Sequence, residues 1–77
     1  MSATKIIVLA THDEQGIFAS LHRDTTAAYE ELRQYLNSNP VDYQDPLMKD
    51  ASHEQISDAA NDRSQFIWGM SEQEVPA

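Results

Sequence analysis

The sequence contains no cysteine, so neither a disulfide framework nor a thiolate zinc site can stabilise the fold. Small secreted domains usually depend on such cross-links, and their absence favours a cytoplasmic protein. Long hydrophobic runs are also missing, because the longest one covers only residues 6–10, whereas a membrane span needs roughly 20 residues. We therefore expect a soluble chain without a membrane anchor or a targeting segment.

Basic residues are scarce: 5 Lys and Arg stand against 13 Asp and Glu, which gives a formal net charge of -8. Binding to nucleic acid or to an anionic membrane requires clustered Lys and Arg, so both classes of ligand are disfavoured. The composition favours a basic protein surface as the partner. The length of 77 residues predicts a single small domain over residues 1–77.

Residues that carry common catalytic and cofactor chemistry are few. The two glycines cannot build a Walker or dinucleotide phosphate-binding loop, and a domain this small can hardly enclose a water-excluding cleft. His12, Asp13, Glu14 and His22 have metal-ligand side chains, but adjacent residues in a turn point in different directions and lack a ligand spacing. We expect no enzymatic activity, no cofactor and no metal.

Three segments have strand character. The β-branched run from Lys5 to Thr11 and the alternating run from Ile17 to His22 flank a polar turn that closes on Gly16, which is typical of a hairpin. Because both faces of the first run are apolar, we expect a central strand covered on both sides. A third strand is predicted over residues 65–70, and the charged residues 72–77 are expected to form a loose tail.

Two segments have helical character. Residues 25–37 carry an apolar stripe, follow the N-cap residue Asp24 and end before Pro40. A second helix is indicated by Ser52 and Gln55, which form a capping-box pair, and is expected to end at about residue 62 or 63. The order ββααβ predicts an α+β domain, with a three-stranded antiparallel sheet of order 2-1-3 and both helices on one face.

The second helix carries an unusual row of acids. Asp50, Glu54, Asp58 and Asp62 recur every four residues, which predicts an oblique row of carboxylates about 18 Å long on one side of a helix. Like charges at this spacing destabilise a helix by about 0.2–0.5 kcal/mol per pair. The row either imitates the charges of a nucleic-acid strand and engages a groove rich in Lys and Arg, or is a solvated face kept acidic for solubility.

Neighbouring residues could extend this acidic surface. If the two helices lie side by side, Glu30 and Glu31 of the first helix and Asp42 and Asp45 of the connector, defined as residues 40–50, would form its rim. Tyr43 would then be an aromatic anchor, since tyrosine is favoured at binding hot spots. The alternative is that Tyr43 packs over the helix ends.

A different function is suggested by Phe66, Trp68 and Met70, which share one side of the third strand. They are either core residues or part of an exposed sheet face, because helices on one side leave the other side uncovered. In the second case the chain would be a self-associating structural or regulatory module that forms a homodimer through the sheet face around Trp68.

Residues 6–36 combine a short strand, a His/Asp turn, a second strand that ends in Leu21-His22-Arg23-Asp24, and a helix with the pattern Ala28-Tyr29-x-x-Leu32. This pattern resembles small acidic ββα-type proteins of phages and mobile elements, such as anti-CRISPR inhibitors, several of which act as nucleic-acid mimics. The resemblance implies an inhibitor or DNA mimic that binds a protein complex. It assigns no site residue.

Overall fold

The computed structural model describes residues 4–75. Along the chain it contains β1 (Thr4–Asp13), β2 (Gly16–His22), α1 (Thr25–Ser38), α2 (His53–Asp62) and β3 (Ile67–Val75). The strands form one antiparallel sheet in the order β2-β1-β3. The predicted α+β class, the ββααβ order and the strand order are therefore confirmed.

The core lies between one face of the sheet and the two helices. Ile7 and Leu9 of β1 point toward the helices, as expected for alternate residues of a strand, and are 8% and 3% exposed. From the helices they meet the buried residues Ala28, Leu32, Leu36, Ile56 and Ala60. This small apolar cluster fixes which side of each helix faces inward and which side faces solvent.

Helix α1 begins and ends close to the predicted residues. The Asp24 carboxylate accepts a hydrogen bond of 2.8 Å from the backbone N–H of Ala27, which satisfies one of the free donors at the start of a helix. The helix ends at Ser38, and the Asn39 side chain donates back to the carbonyl oxygen of Tyr35. Within residues 4–75, neither helix is long and apolar enough to cross a membrane.

Helix α2 begins with the predicted capping box. The Ser52 hydroxyl accepts from the backbone N–H of Gln55, and the Gln55 side chain accepts from the backbone N–H of Ser52. Ser52 has an extended backbone, so the helix begins only at His53. Asp50 consequently lies in the turn before α2, and the expected row of four carboxylates on one helix is shortened to three.

Strand β3 is longer than predicted and continues to Val75. Its last residues pair with β1, from Glu72 opposite Ile7 to Val75 opposite Thr4. Residues 72–75 therefore belong to the sheet instead of forming a loose tail. The remainder of the predicted tail, residues 76–77, lies outside the described residues.

The two faces of the sheet have different environments. Trp68 pairs with Thr11 and lies on the helix side, where its indole N–H donates to the Asn61 side chain at 2.8 Å. Phe66, Trp68 and Met70 pack against the core, so the core interpretation of these residues is confirmed. The expectation that β1 is covered on both sides is wrong, because both helices pack on the same face. The uncovered face is the one opposite Trp68.

Candidate functional site

The outward side of α2 carries three exposed carboxylates. Ile56 and Ala60 face the core, and at 100° per residue Asp58 lies opposite them, with Glu54 and Asp62 on either side of it. All three acids are exposed. We call them the acidic ridge. Successive carboxylates are separated by about 6 Å along the axis, so the ridge is about 12 Å long.

Both flanks of α2 are packed against other elements. On one side the Gln44 amide of the connector donates to the carbonyl oxygen of Ala59 at 2.6 Å. On the other side the Ser57 hydroxyl donates to the Tyr29 hydroxyl at 3.3 Å, and the rings of Tyr29 and His53 stack with their centroids 4.2 Å apart. Since the flanks are occupied, the acidic ridge is the part of α2 that projects into solvent.

Most basic side chains are engaged away from the acidic ridge. The guanidinium of Arg33 pairs with Glu30, and that of Arg63 donates to backbone carbonyls. Lys5 lies 3.4 Å from Glu72, and Arg23 lies 3.7 Å from Asp24. Within residues 4–75, no ion pair involves any of the three ridge carboxylates, so their charges are not neutralised internally.

Glu30 does not extend the ridge. Its carboxylate accepts from Arg33 Nε at 3.0 Å and from the Gln34 amide at 3.2 Å. The Arg33 bond, together with the weaker one from Gln34, lowers the pKa of Glu30 to about 2. Arg33 is 8% exposed and also reaches the carbonyl oxygen of Leu47. Glu30 therefore serves to hold a buried arginine between α1 and the connector.

Glu31 lies on a different side of α1. It lines a shallow depression together with Phe18 of β2 and Tyr35, whereas α1 meets α2 through Tyr29. The two helices do lie side by side, but Glu31 is on the flank of α1 that faces β2. The structure therefore does not bring Glu31 to the acidic ridge.

The connector extends the acidic surface near both ends of α2. Close to its start, Asp45 and Asp50 line one open depression together with Gln55. Close to its end, the Tyr43 hydroxyl accepts from the backbone N–H of Ser64 at 3.2 Å, which lowers the pKa of Tyr43, while the Asp62 charge opposes that shift. The structure thus places Asp45 and Asp50 at one end of the ridge and Tyr43 at the other.

Tyr43 combines features of both interpretations of its role. Its hydroxyl is bound next to the end of α2, yet the residue remains 57% exposed. Asp42, the preceding residue, is also exposed. The ring is therefore held in place and is still accessible to a partner.

The four metal-ligand residues near the hairpin are separated by the strand register. His12 pairs with Ile17 and His22 with Ile7, at opposite ends of β2. The Asp13 carboxylate is occupied by the Tyr35 hydroxyl and the Gln15 backbone N–H. Within the described part of the chain, no three His, Asp or Glu side chains come together in a way that could hold a metal ion.

The structure also has an uncovered sheet face, which was predicted from the sequence but placed around Trp68, on the side that the helices cover. It is the sheet face opposite the helices, which we call the open sheet face, and its largest exposed side chains are Ile17, Leu21 and Ile67 at 76%, 68% and 67% exposure. The alternation of Ile17, Ala19 and Leu21 in β2 marks one side of that strand as apolar. The sequence did not tell which side of the sheet the helices would cover.

Comparison of the chain with protein-family models, with curated proteins and with solved structures found no match. The two surfaces described above are therefore interpreted from their own geometry and charge.

Proposed function

We propose that this chain is a non-enzymatic binding protein that places its acidic ridge in a cationic groove of a larger protein. The observation that carries the proposal is the exposure of Glu54, Asp58 and Asp62 without any ion pair within residues 4–75. The two like-charged pairs of the ridge weaken α2 by about 0.4–1 kcal/mol in total. A groove rich in Lys and Arg would offset this repulsion, because its positive charges attract all three carboxylates.

The proposed groove is one that otherwise holds nucleic acid, as in a CRISPR effector or another nucleic-acid-handling complex. The acidic ridge alone has a lower charge density than the DNA strand it would imitate. It carries one charge per about 6 Å, whereas one DNA strand carries one charge per about 3.4 Å of helix axis. The acids near its ends, Asp42, Asp45 and Asp50, raise the local density. In this proposal Tyr43 supplies an aromatic contact inside the charged rim, and the chain acts as an inhibitor by occupying the groove.

Electrostatic attachment has a characteristic dependence on salt. The ridge side chains are exposed, and charges in solvent are screened beyond about 8 Å at physiological ionic strength. We expect association to be fast at low salt and to weaken strongly as salt is added, with the main change in the association rate.

The test uses two charge-reversal variants that have the same net charge as each other. Glu54→Lys with Asp58→Lys changes the net charge from -8 to -4 and reverses the middle of the ridge. The matched control, Glu14→Lys with Glu31→Lys, makes the same change at exposed acids in the hairpin turn and on the far flank of α1. Tagged wild type and both double variants are used to capture proteins from a bacterial lysate at 50 mM and 500 mM NaCl, and the captured partner is then purified for titration.

We expect the ridge variant to lose at least about tenfold in affinity and the control to lose less than about threefold. Unchanged affinity of the ridge variant would refute the proposal. An equal loss in both variants would also refute it, because net charge rather than the ridge would then explain the binding.

A further inference from the structure

Strand β2 forms one edge of the sheet. The strand order is β2-β1-β3, so β1 pairs with only one side of β2. Asp13 and Gly16 lie opposite each other across a two-residue turn, and the residues that close such a turn form a hydrogen-bonded pair. Since hydrogen-bonded and other pairs alternate, Ile17, Ala19 and Leu21 direct their backbone N–H and C=O groups away from β1. No turn, loop or cap hydrogen bond in the described part of the chain uses these groups.

The two edges of the sheet differ in their protection against further pairing. Natural sheets protect edge strands with charged side chains, proline or a bulge. The edge strand β3 carries Glu72 and Glu74. In contrast, the seven residues of β2 include no acid, Lys, Arg or Pro, and they pair with β1 in one unbroken register. The edge of β2 is therefore open to pairing with another strand.

A depression lies beside this edge, between the helix side of β2 and α1, and we call it the edge depression. The buried Leu9 and Thr11 form its floor, and the rings of Phe18 and Tyr35, with centroids 6.2 Å apart, form its walls. Its volume of about 340 Å³ is room for one long side chain. Glu31 adds an exposed carboxylate, which takes part in no ion pair among the described residues. Such a depression suits a cation on an apolar stem.

We propose that an extended segment of a partner protein adds to the sheet along β2 and places an arginine side chain in the edge depression. The segment runs antiparallel to β2 and bonds to its outward backbone groups. Its side chains alternate between the two faces of the sheet, and those opposite Phe18 and Ser20 lie on the helix side. An arginine there stacks on the aromatic rings and brings its charge to Glu31.

The charge distribution favours this occupant over a second copy of the chain. Two copies joined through β2 would offer each other's edge depression only the side chains of Phe18, Ser20 and His22, which include neither Lys nor Arg. Such a pairing would also place both Glu31 carboxylates on the same side of the joined sheet, in two chains that each carry a net charge of -8. A basic segment instead supplies the missing positive charge.

The edge depression and the acidic ridge are separate surfaces. Helix α1 meets α2 through Tyr29 and faces β2 through Glu31, so the two surfaces lie on opposite flanks of α1. The edge of β2 recognises a backbone and one basic side chain, whereas the acidic ridge presents a row of charges. Failure of this proposal and failure of the proposed function can therefore be told apart.

An NMR titration of the full chain, labelled with ¹⁵N, at pH 7 and in 0.15 M NaCl tests the proposal. The probe is the blocked peptide Val-Thr-Val-Arg-Val-Thr-Val, whose valines are the residues that bond to β2. We expect saturable binding with a dissociation constant on the order of 0.1–1 mM. Amide shifts should change, and hydrogen exchange should slow, at Ile17, Ala19 and Leu21.

Two altered peptides separate the contributions of side chain and backbone. One has glutamate in place of arginine, and the other is N-methylated at its two inner valines, which removes two donors to β2. Both should bind at least about tenfold more weakly than the probe.

Variants of the chain separate specific recognition from general attraction to an acidic protein. Glu31→Gln should weaken binding of the arginine peptide about three- to fivefold. Its matched control is Glu54→Gln, which removes one charge from the acidic ridge and should change the affinity by less than about twofold. Ala19→Pro removes an outward N–H that the sheet does not use, an orientation in which edge strands tolerate proline, and should abolish binding while the circular dichroism spectrum stays the same.

Several results would overturn the proposal. The wild type would contradict it by showing no saturable binding up to about 5 mM peptide. Equal weakening by Glu31→Gln and Glu54→Gln would mean that net charge explains the attraction. Unchanged binding of the N-methylated peptide would exclude strand pairing at β2. A wild type that dimerises in sedimentation, with exchange slowed at the outward amides of β2, would give this edge to a second copy instead.

Discussion

Arg63 donates from Nη2 to the carbonyl oxygen of Leu36, 2.8 Å away. The same guanidinium donates to the carbonyl oxygen of Asn39 at 2.6 Å and to the side-chain oxygen of Gln44 at 3.0 Å. The last carbonyls of a helix lack partners within the helix, and a positive charge is favourable at that end. One side chain that follows α2 therefore caps α1 and holds the connector.

Replacing Arg63 with methionine should destabilise the fold. The substitution Arg63→Met keeps an apolar stem but removes every donor, so part-buried acceptors on α1 and in the connector lose their partner. We expect the free energy of unfolding to fall by about 1–3 kcal/mol, measured by urea unfolding at pH 7 with circular dichroism.

Arg23→Met is the matched control, because the Arg23 side chain is 89% exposed and has only a 3.7 Å contact with Asp24. Its stability should stay within about 0.5 kcal/mol of wild type. If Arg63→Met were as stable as this control, the guanidinium would not be the element that joins α1 to the connector.

The Tyr35 hydroxyl donates to the Asp13 carboxylate, and this bond links stability to pH on both sides of neutrality. The bond lowers the pKa of Asp13, while burial and then the bond raise the pKa of Tyr35 to about 12. The Asp13 contribution is present above its ordinary pKa of 3.8 and is lost as pH falls. The Tyr35 contribution is present below pH 10.0 and is lost as pH rises toward 12.

Tyr35→Phe should therefore raise the pKa of Asp13 toward 3.8, as measured by NMR titration of the carboxyl carbon. Tyr43→Phe is the control, since the Tyr43 hydroxyl is bound to Ser64 instead. An Asp13 pKa that is the same in Tyr35→Phe and in wild type would show that the hydroxyl does not act on this carboxylate.

Much of the backbone could be predicted from local chemistry. Asp24 and Ser52 each cap the helix that follows them, and the turn that closes on Gly16 forms the hairpin, where that glycine has a φ of +125°. These features depend on a few neighbouring residues, so they can be read without knowledge of the tertiary structure. The strand order could also be predicted, because a first strand that is apolar on both faces is expected in the centre of the sheet.

The orientation of the sheet could not be predicted in the same way. In β2 the face with Ile17 and Leu21 is more apolar than the face with Ser20 and His22, yet the helices cover the latter. The choice depends on both helices and all three strands packing together. The prediction of a surface around Trp68 therefore named the wrong face, although it was right that one face stays uncovered.

The number of carboxylates in the acidic row of α2 depends on where the N-cap residue Ser52 starts the helix. Carboxylate spacing alone placed Asp50 on the helix, but the capping box of Ser52 and Gln55 excludes it. The same box was recognised in the sequence, and applying it to the helix boundary would have excluded Asp50 from the row. The partnership of Glu30 with Arg33 was not predicted, although their spacing of three residues permits it on a helix.

The ion pair of Glu30 and Arg33 should make the stability of the fold depend on pH in the acid range. The pKa of Glu30 is lowered from 4.5 to about 2, so its contribution to stability is present above pH 4.5 and is lost as pH falls toward 2. Glu30→Gln should be less stable than wild type at pH 7 and should lose less stability between pH 4.5 and 2. Thermal midpoints measured from pH 2.5 to 7 test this, with the exposed Glu31→Gln as control. An identical pH profile for Glu30→Gln and wild type would contradict the role assigned to the pair.

Leu32 and Leu21 provide the sharpest test of which sheet face is the core. Leu32 of α1 is fully buried, whereas Leu21 of β2 is 68% exposed on the open sheet face. Leu32→Ala should lower the free energy of unfolding by about 2–5 kcal/mol, a large part of the stability of a domain this small, whereas Leu21→Ala should change it by less than about 0.5 kcal/mol. Urea unfolding is measured at about 5 µM, a concentration that limits any self-association. If Leu21→Ala lowered the free energy of unfolding as much as Leu32→Ala, the open sheet face would have to be covered within the monomer.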